Sequence, residues 1–532
     1  MPRSRQGGAR RRDLHVFLTG LAVPCVVVAL ATALRRGVAP LFAWPTLRAD
    51  RLVAVLVVAA LGAAAVPFRR ALRAAVTDFF AETAHPVNLA VFRIAVFLAL
   101  SASFSVARTV WFSELPRALM FPPTGAGFVF RVLPVDPVSA TIASVLLRVV
   151  CVTAAVGLAS RLSAAVAAVL AVYVLGIPQL YGKVVHIHHL VWFAALLAAS
   201  PCGDALSLDA LLGRQGRTRS ADRAPRPARV YALPLGFAWL LIGVAYFFPG
   251  LWKAVGSGLD WALSDNLGAL TTLARLRGHG ATLPWRLDLH PGLYETGALA
   301  TLLFEPSFIV LVFSPRLRWL ALAAALVFHG LTALFLGIAF WSFQVCLLAL
   351  VDWRRLFTAA SGRGGPTEDA GVATPADVAA PRASDVRATV VVGSLLVTVN
   401  ALFGVLGVVA AWPFACYPAF AHVAAAETRR IAFTIASADG STRDVCPTTE
   451  PALTRHFAAA RLVDLEPRLL GVENATARHE RLRAYWAMWT RVDPRARDAR
   501  EVRVYVDTLT TVPERAGENP LGHQLIDTLT LP

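Results

Sequence analysis

Apolar runs of about 20 residues recur along this chain from residue 15 to residue 412. About 20 apolar residues in an α-helix cross the hydrocarbon core of a bilayer, which is about 30 Å thick. Only 16% of the 532 residues are charged and the mean hydropathy is +0.58, whereas a soluble protein carries about 25% charge. The pattern predicts an all-α polytopic membrane protein.

About eleven transmembrane helices are expected. Loops rich in arginine separate several of them, above all 203–229, and such loops stay on the cytoplasmic side. The alternation predicts an integral plasma (inner) membrane protein of multi-pass type, with a cytoplasmic N-terminus and an extracytoplasmic C-terminal domain. The arginines within 35–51 fit this alternation least well, because it places them in an external loop. The predicted spans are about 15–34, 52–68, 87–107, 138–158, 162–180, 187–202, 230–250, 294–313, 317–334, 336–352 and 388–412.

The last 120 residues change character. Arg430–Thr434 and Glu501–Thr508 alternate like strands, residues 438–441 form a turn pattern, and residues 466–489 favour a helix. A small extracytoplasmic α+β domain is predicted, in which Cys416 and Cys446 can pair if the compartment is oxidising. The predicted organisation is a two-helix membrane extension at 1–75, a transmembrane domain at 76–355, a flexible cytoplasmic linker at 356–387, a final helix at 388–412 and this tail at 413–532.

Composition also excludes some functions. The net charge of +17 lies in loops between apolar runs, as a topology signal does, and no nucleic-acid motif accompanies it. The six cysteines contain no CxxC pair, so neither a zinc site nor a thioredoxin-like site is indicated, and no metal is predicted. No P-loop, dinucleotide fold or Ser-His-Asp hydrolase motif is found.

The segment 179–190, Gln-Leu-Tyr-Gly-Lys-Val-Val-His-Ile-His-His-Leu, places three histidines and a lysine in a break between two apolar runs. Only two of the 51 basic residues are lysines, Lys183 and Lys253. Arginine keeps its proton in proteins, whereas a partly buried lysine can release it. Lys183 is therefore interpreted as a titratable amine. The alternative is that a GC-rich coding bias left two lysines by chance.

The predicted topology collects titratable side chains in the outer half of the bundle, where ionisable groups are functional candidates. If 183–189 is helical, Lys183, His186 and His189 share one side, and a neutral lysine beside imidazoles can act as a general base. Metal binding, helix capping at a broken turn and a proton relay remain alternatives. The supporting polar candidates are His188, Lys253, Glu295, Arg148 and Glu305.

Two arginines fall within predicted helices. Arg93 lies one or two turns inside the third helix, where snorkelling to the cytoplasmic interface is the expected solution. Arg148 lies near the middle of the fourth helix, too deep to snorkel, so it is expected to pair within the bundle.

Several ordered pieces between about 85 and 355 resemble one known family. They are Val91-Phe-Arg-Ile-Ala-Val-Phe97, Gly157-Leu-Ala-Ser-Arg-Leu-Ser163, Gly182-Lys-Val-Val-His-Ile-His-His-Leu190, Ser207-Leu-Asp-Ala-Leu-Leu212, Tyr246-Phe-Phe-Pro-Gly-Leu-Trp-Lys253, and Phe328-His-Gly330 with Gly337-Ile-Ala-Phe-Trp-Ser-Phe343. Together they resemble the HTTM (horizontally transferred transmembrane) domain family, which includes the vitamin K-dependent γ-carboxylase.

The resemblance implies quinol-linked chemistry in the membrane. In the carboxylase, a loop lysine deprotonates reduced vitamin K, which drives proton removal from glutamate. Lys183 would be that base, His189 would match the histidine that follows it in the carboxylase loop, and His329 would match the histidine of a later helix. His186 is a further catalytic candidate because of its spacing from Lys183 and His189. The implied cofactor is a reduced quinone, either menaquinol or vitamin K hydroquinone. The implied partners are the lipid bilayer and a peptide or small-molecule substrate.

The chain departs from the carboxylase at Ile187-His188, where the carboxylase has Asn-Asn, and in its far shorter tail. Two functions stay open. One is a γ-carboxylase-like enzyme that abstracts a proton at the outer face. The other is a non-enzymatic membrane scaffold or a carrier of small molecules or lipids.

Overall fold

The computed structural model of the chain describes residues 2–38, 47–124, 129–130, 132–181, 187–216, 226–277, 285–361, 383–416, 420–454, 469 and 474–531. Lys183 and His186 lie outside the described residues.

Most of the described chain is helical. The helices up to the centre of the bundle are α1 (Pro2–Val38), α2 (Leu47–Ala65), α3 (Arg69–Ala81), α4 (Pro86–Ala102), α5 (Val106–Ser113), α6 (Pro137–Val156), α7 (Ser160–Val174), α8 (His188–Ala198), α9 (Leu208–Gly216) and α10 (Arg229–Ser257). Those that follow are α11 (Asp260–Leu263), α12 (Asn266–Leu276), α13 (Pro291–Leu311), α14 (Leu317–Leu336), α15 (Trp341–Cys346), α16 (Trp353–Ala360), α17 (Ala383–Val405), α18 (Pro451–Thr454) and α19 (Ala475–Val492).

Among the described residues, seven helices are long and apolar enough to cross a membrane, or eight if the bent pair α4 and α5 forms one span. The architecture is that of a helical membrane protein. The expected count of about eleven spans is not confirmed. The predicted runs at 187–202 and 336–352 contain only short apolar helices, His188–Ala198 and Trp341–Leu350, because their regular backbone stops before it reaches membrane length.

Helix α10 is the centre of the bundle, and more of its apolar window is buried than in any other candidate span. It packs against α1, α13 and α17. Glycines allow α17 to approach it closely. A Cβ at Gly393 would lie 2.3 Å from the ring of Phe237, and one at Gly404 would lie 2.2 Å from the ring of Phe248. Small residues at helix contacts are the usual route to tight packing in membranes.

The described part of the tail forms a four-stranded antiparallel sheet of order β2-β1-β3-β4. Its strands are β1 (Glu427–Ser437), β2 (Thr442–Val445), β3 (Ala499–Thr510) and β4 (Gly522–Thr530). The two predicted strands are confirmed as parts of β1 and β3, whereas β2 and β4 were not predicted. Helix α19 covers the sheet through Tyr485 and Trp489, whose rings contact Phe433.

The Cys416–Cys446 bridge considered from the sequence is not formed, since neither cysteine is part of a disulfide. The tail instead contacts the membrane bundle through polar pairs. Arg491 on α19 donates to the carboxylate of Glu114 at 3.0 Å and to its backbone oxygen at 2.8 Å.

Arg93 does not snorkel, which corrects the sequence interpretation. Its side chain is fully buried and donates to the backbone oxygens of Cys202 at 2.6 Å and Leu206 at 2.5 Å, with longer bonds to those of Ala155 and Ala205. The chain leaves α8 through irregular backbone at 202–206, whose carbonyl groups need donors because they lack helical partners. A guanidinium supplies several donors in one plane, so Arg93 is retained inside the protein.

Candidate functional site

A cavity of about 490 Å³ lies at the end of the bundle that contacts the tail. Parts of α8 and of α10 to α15 form its wall, together with part of α17 and with residues 285, 287, 338, 340, 415–416 and 420. Its lining is mainly aliphatic and aromatic. The polar or titratable side chains on the wall include His188, His189, Tyr246, Lys253, Glu305, His329 and Asn400.

Lys253 and Glu305 form a buried ion pair across α10 and α13. Nζ lies 2.8 Å from both carboxylate oxygens, and the two side chains are only 4% and 5% exposed. Gly250 brings the helices together, since a Cβ there would lie 3.0 Å from the Cβ of Glu305. The ring of Trp261 lies 5.2 Å from Nζ and faces the ammonium group. Each charge is therefore compensated by the other in a region of low dielectric constant.

A second pair joins α10 to α14. The hydroxyl of Tyr246 lies 2.6 Å from Nε2 of His329, and both residues are buried. The Nδ1 atom of His329 has no hydrogen-bond partner within the described residues. In a neutral imidazole one ring nitrogen donates and the other accepts. Because Nε2 is engaged with the tyrosine, Nδ1 is the nitrogen that remains for a ligand.

His188 and His189 begin α8 and line the same cavity. The ring of His188 packs on Trp192 at 4.7 Å between centroids. His189 hydrogen-bonds the backbone of Ser342, and its buried Nε2 has no partner in the part of the chain that the structure describes. The ring of Phe343 lies 5.2 Å from that of His189 and 5.9 Å from that of His329, so both histidines share one aromatic wall.

The sequence candidates separate into three groups. Those that line the cavity are His188, His189, Lys253, Glu305 and His329. Those outside the described residues are Lys183 and His186. Among the described residues, Glu295 and Arg148 do not line the cavity. Glu295 is half-buried on α13, and Arg148 donates within the bundle to Ser101 Oγ at 3.2 Å and to the backbone oxygen of Phe104 at 2.8 Å.

The cavity wall also contains residues that were not predicted as site residues, among them Tyr246, Trp261 and Asn400. Tyr246 opens one of the family-like pieces, and Trp261 follows the helix that bears Lys253. Asn400 is buried in α17, where its amide donates to the backbone oxygen of Leu396 at 2.8 Å. A lone amide within an apolar helix is a usable signal, because polar groups in membrane helices face protein or a cavity.

The segment before α13 is fixed by a carboxylate beside the cavity. Asp288 is buried and accepts from Thr272 Oγ1 at 2.9 Å and from Arg286 Nε at 2.8 Å. Burial alone would raise the pKa of Asp288, but the hydrogen bonds from Arg286 and Thr272 outweigh it and lower the pKa below its ordinary value. The charged carboxylate thus holds the segment that carries Trp285 onto the cavity wall.

Apolar walls with a few convergent polar groups are typical of sites for small amphipathic ligands. Here the ring nitrogens can donate to or accept from a polar head group, and the ammonium can balance a developing negative charge. Comparisons with protein family models, with curated proteins and with solved structures find no match to this chain.

Proposed function

We propose that this chain is a membrane-embedded enzyme that removes a proton from a lipid-soluble quinol or a related substrate, with chemistry like that of the vitamin K-dependent γ-carboxylase. One observation supports the proposal most directly. A single apolar cavity holds two buried imidazole nitrogens without partners among the described residues, His189 Nε2 and His329 Nδ1, beside the Lys253–Glu305 pair.

Removal of the quinol proton requires a base that accepts the proton and a group that stabilises the anion that forms. The quinol O–H bond breaks, its proton passes to a neutral nitrogen, and the electron pair stays on the oxygen as a quinolate. Lys183 is the base that the resemblance implies, and His189 and His329 are the acceptors or relays on the cavity wall. Lys253 is the cation that favours the quinolate, since positive charge placed where negative charge develops lowers the barrier.

The test follows turnover in purified protein in lipid nanodiscs. Reduced menaquinone or vitamin K, oxygen and labelled bicarbonate are supplied, and quinone epoxide and bound label are measured separately. We expect epoxide from the wild type and none from Lys183→Arg, because arginine keeps the charge but does not release its proton. His189→Gln and His329→Gln should each lower the rate by about 10²–10⁴-fold if the ring acts as an acid or base.

The matched control is Arg515→Lys, an exchange of the same two residue types at an exposed position of the tail. It should leave turnover unchanged. Unchanged activity in Lys183→Arg would remove that lysine from the mechanism. An absence of turnover in every protein would favour the carrier or scaffold, in which the same polar groups hold the bundle together or line a path.

A further inference from the structure

We infer that the cavity is entered from the lipid, between the tail-side halves of α13 and α14, and that Gly297 sets the width of this entrance. The inference deepens the proposed function and rests on it for the identity of the ligand's polar head group. The position of the entrance is marked by residues that belong both to the cavity wall and to the protein surface.

One face of each helix borders the cavity. On α13 these residues are Leu293, Gly297 and Thr301, which recur at every fourth position and so lie on one side of the helix. The corresponding residues of α14 are Phe328, Leu331, Thr332 and Phe335. Leu293 is 54% exposed and Leu331 is 49% exposed, although both line the cavity. The cavity is therefore open beside these two side chains.

The opening is suited to lipid. Helix α14 is a membrane-length helix, and only 28% of its apolar window is buried, so most of its surface faces away from the protein. The residues that border the opening are aliphatic, aromatic, glycine or threonine, and the described charged side chains of the cavity wall, Lys253 and Glu305, pair with each other. An apolar rim on a lipid-facing helix admits an apolar chain without desolvating a charge.

The polar groups then orient the ligand. The Tyr246–His329 and Lys253–Glu305 pairs tie α10 to the two helices that border the opening, and they form the polar part of the wall. A ligand whose polar head contacts these pairs can leave a long apolar tail in the gap and in the surrounding lipid. We therefore expect a preference for long-chain ligands over analogues that lack the chain.

Gly297 offers a direct way to narrow the gap. A Cβ added there would meet only Leu267, at an ordinary contact distance of 3.6 Å, so the local backbone accepts a larger side chain. The variant Gly297→Trp places a large ring on the cavity face of α13. Leu299→Trp is the matched control, because residue 299 lies two positions away, on the opposite side of the helix. Leu331→Trp narrows the gap from α14 instead.

Cys416 reports entry, since it lines the cavity and forms no disulfide. Protein in lipid nanodiscs is treated with either N-ethylmaleimide, which dissolves in lipid, or a charged thiosulfonate, and modification of Cys416 is followed by mass spectrometry. We expect the maleimide to react faster than the thiosulfonate. Gly297→Trp and Leu331→Trp should each slow the maleimide by about tenfold, while Leu299→Trp leaves the rate unchanged. A second arm compares binding of menaquinone with that of menadione, which has no tail, and only menaquinone should lose affinity in Gly297→Trp.

Three results would overturn the lipid entrance. The first is a maleimide rate at the wild-type level in both narrowed variants, with folding checked by gel filtration. The second is a thiosulfonate rate as fast as that of the maleimide, which would indicate a route from water. The third is no reaction of Cys416 with the maleimide. Because this readout is thiol modification, it tests the entrance even if the protein shows no quinol turnover. If the protein turns over quinol and the narrowed variants keep the wild-type maleimide rate, the lipid entrance is rejected and the proposed function is not.

Discussion

Removing the positive charge of the buried ion pair should destabilise the bundle strongly. Lys253→Met keeps much of the side-chain length and leaves the carboxylate of Glu305 without its counter-ion, in a place where its side chain is only 5% exposed. Breaking a buried pair in this way costs about 3–5 kcal/mol, since the remaining charge is neither hydrated nor compensated. That is a large part of the total stability of a typical protein, about 5–15 kcal/mol.

The double variant Lys253→Met with Glu305→Leu distinguishes the loss of the ion pair from the burial of a single unpaired charge. It removes both charges and leaves apolar side chains of similar size, so its stability should return to near that of the wild type. The two substitutions then couple by about 3 kcal/mol or more, at the upper end of the range for residues in contact. On the proposed function, ligand binding should not return to the double variant, because it lacks the two charged groups that are proposed to contact the head group.

Unfolding by sodium dodecyl sulfate in mixed micelles, followed by tryptophan fluorescence, provides the measurement. Arg515→Ala is the control, since it removes an ion pair whose side chains are 54% and 50% exposed, and the unfolding midpoint should not move. The reasoning fails if Lys253→Met unfolds with the wild-type midpoint. It also fails if the double variant is as unstable as the single one, because the pair would then not be the source of the effect.

Two further results are expected. Arg93→Lys should lower the free energy of unfolding by about 1–3 kcal/mol in the same assay, because an ammonium cannot reach all the buried carbonyl groups that the guanidinium now satisfies. In the tail, burial alone would raise the pKa of Asp493, but hydrogen bonds from Arg495 and Arg443 outweigh it and hold the pKa below the ordinary value of 3.8. The stability that this carboxylate contributes is therefore complete above that value and is lost as the pH falls through the lower folded-state pKa. Tail fluorescence measured against pH should show this loss in the wild type, and Asp493→Asn should remove it.

Long apolar runs and alternation predicted the parts of the fold that depend on local pattern. The strands β1 and β3 alternate clearly and pair along almost their whole length. The edge strand β4 has an irregular exposure pattern, because one side of it contacts no other described strand, and its sequence carries a weaker signal. The predicted runs at 187–202 and 336–352 contain only short helices, since hydropathy measures composition and does not detect a backbone that stops being helical. The run at 294–313 forms one continuous helix, α13, which is not among the seven candidate spans.

The gathering of titratable side chains, and not the cavity itself, was predicted from the sequence. Loop charge was used to assign each helix end to one side of the membrane, which places His189, Lys253 and His329 at the same end of the bundle, and these three residues line one cavity. The bond between Tyr246 and His329 joins residues 83 positions apart and depends on how two helices are rotated. A helix that is apolar on all sides carries little periodicity to set that rotation, so this contact could not be read from the sequence.

The family-like pieces divide into two sets when their contacts are followed. Three of them meet at the end of α8 opposite the cavity, where Arg93 binds the chain around 202–206 and Asp209 accepts the backbone N–H groups of Ala159 and Ser160 at 2.8 Å. Gly157 belongs to the same cluster, since a Cβ there would lie 2.3 Å from the Cβ of Ser207.

Each of the other pieces contributes residues to the cavity wall. The cavity lies one α8 length away from the first cluster, or about 16 Å for eleven residues. Residues of the first set donate to backbone carbonyl groups or accept from the N–H groups at the start of a helix. Any chain with this arrangement of helices would need such contacts. Only the second set places titratable side chains on the cavity wall. A chain that kept Arg93 and Asp209 but lost His189, His329 and both members of the Lys253–Glu305 pair should therefore fold in the same way and, on the proposed function, bind no quinol. The resemblance bears on function only through the cavity residues.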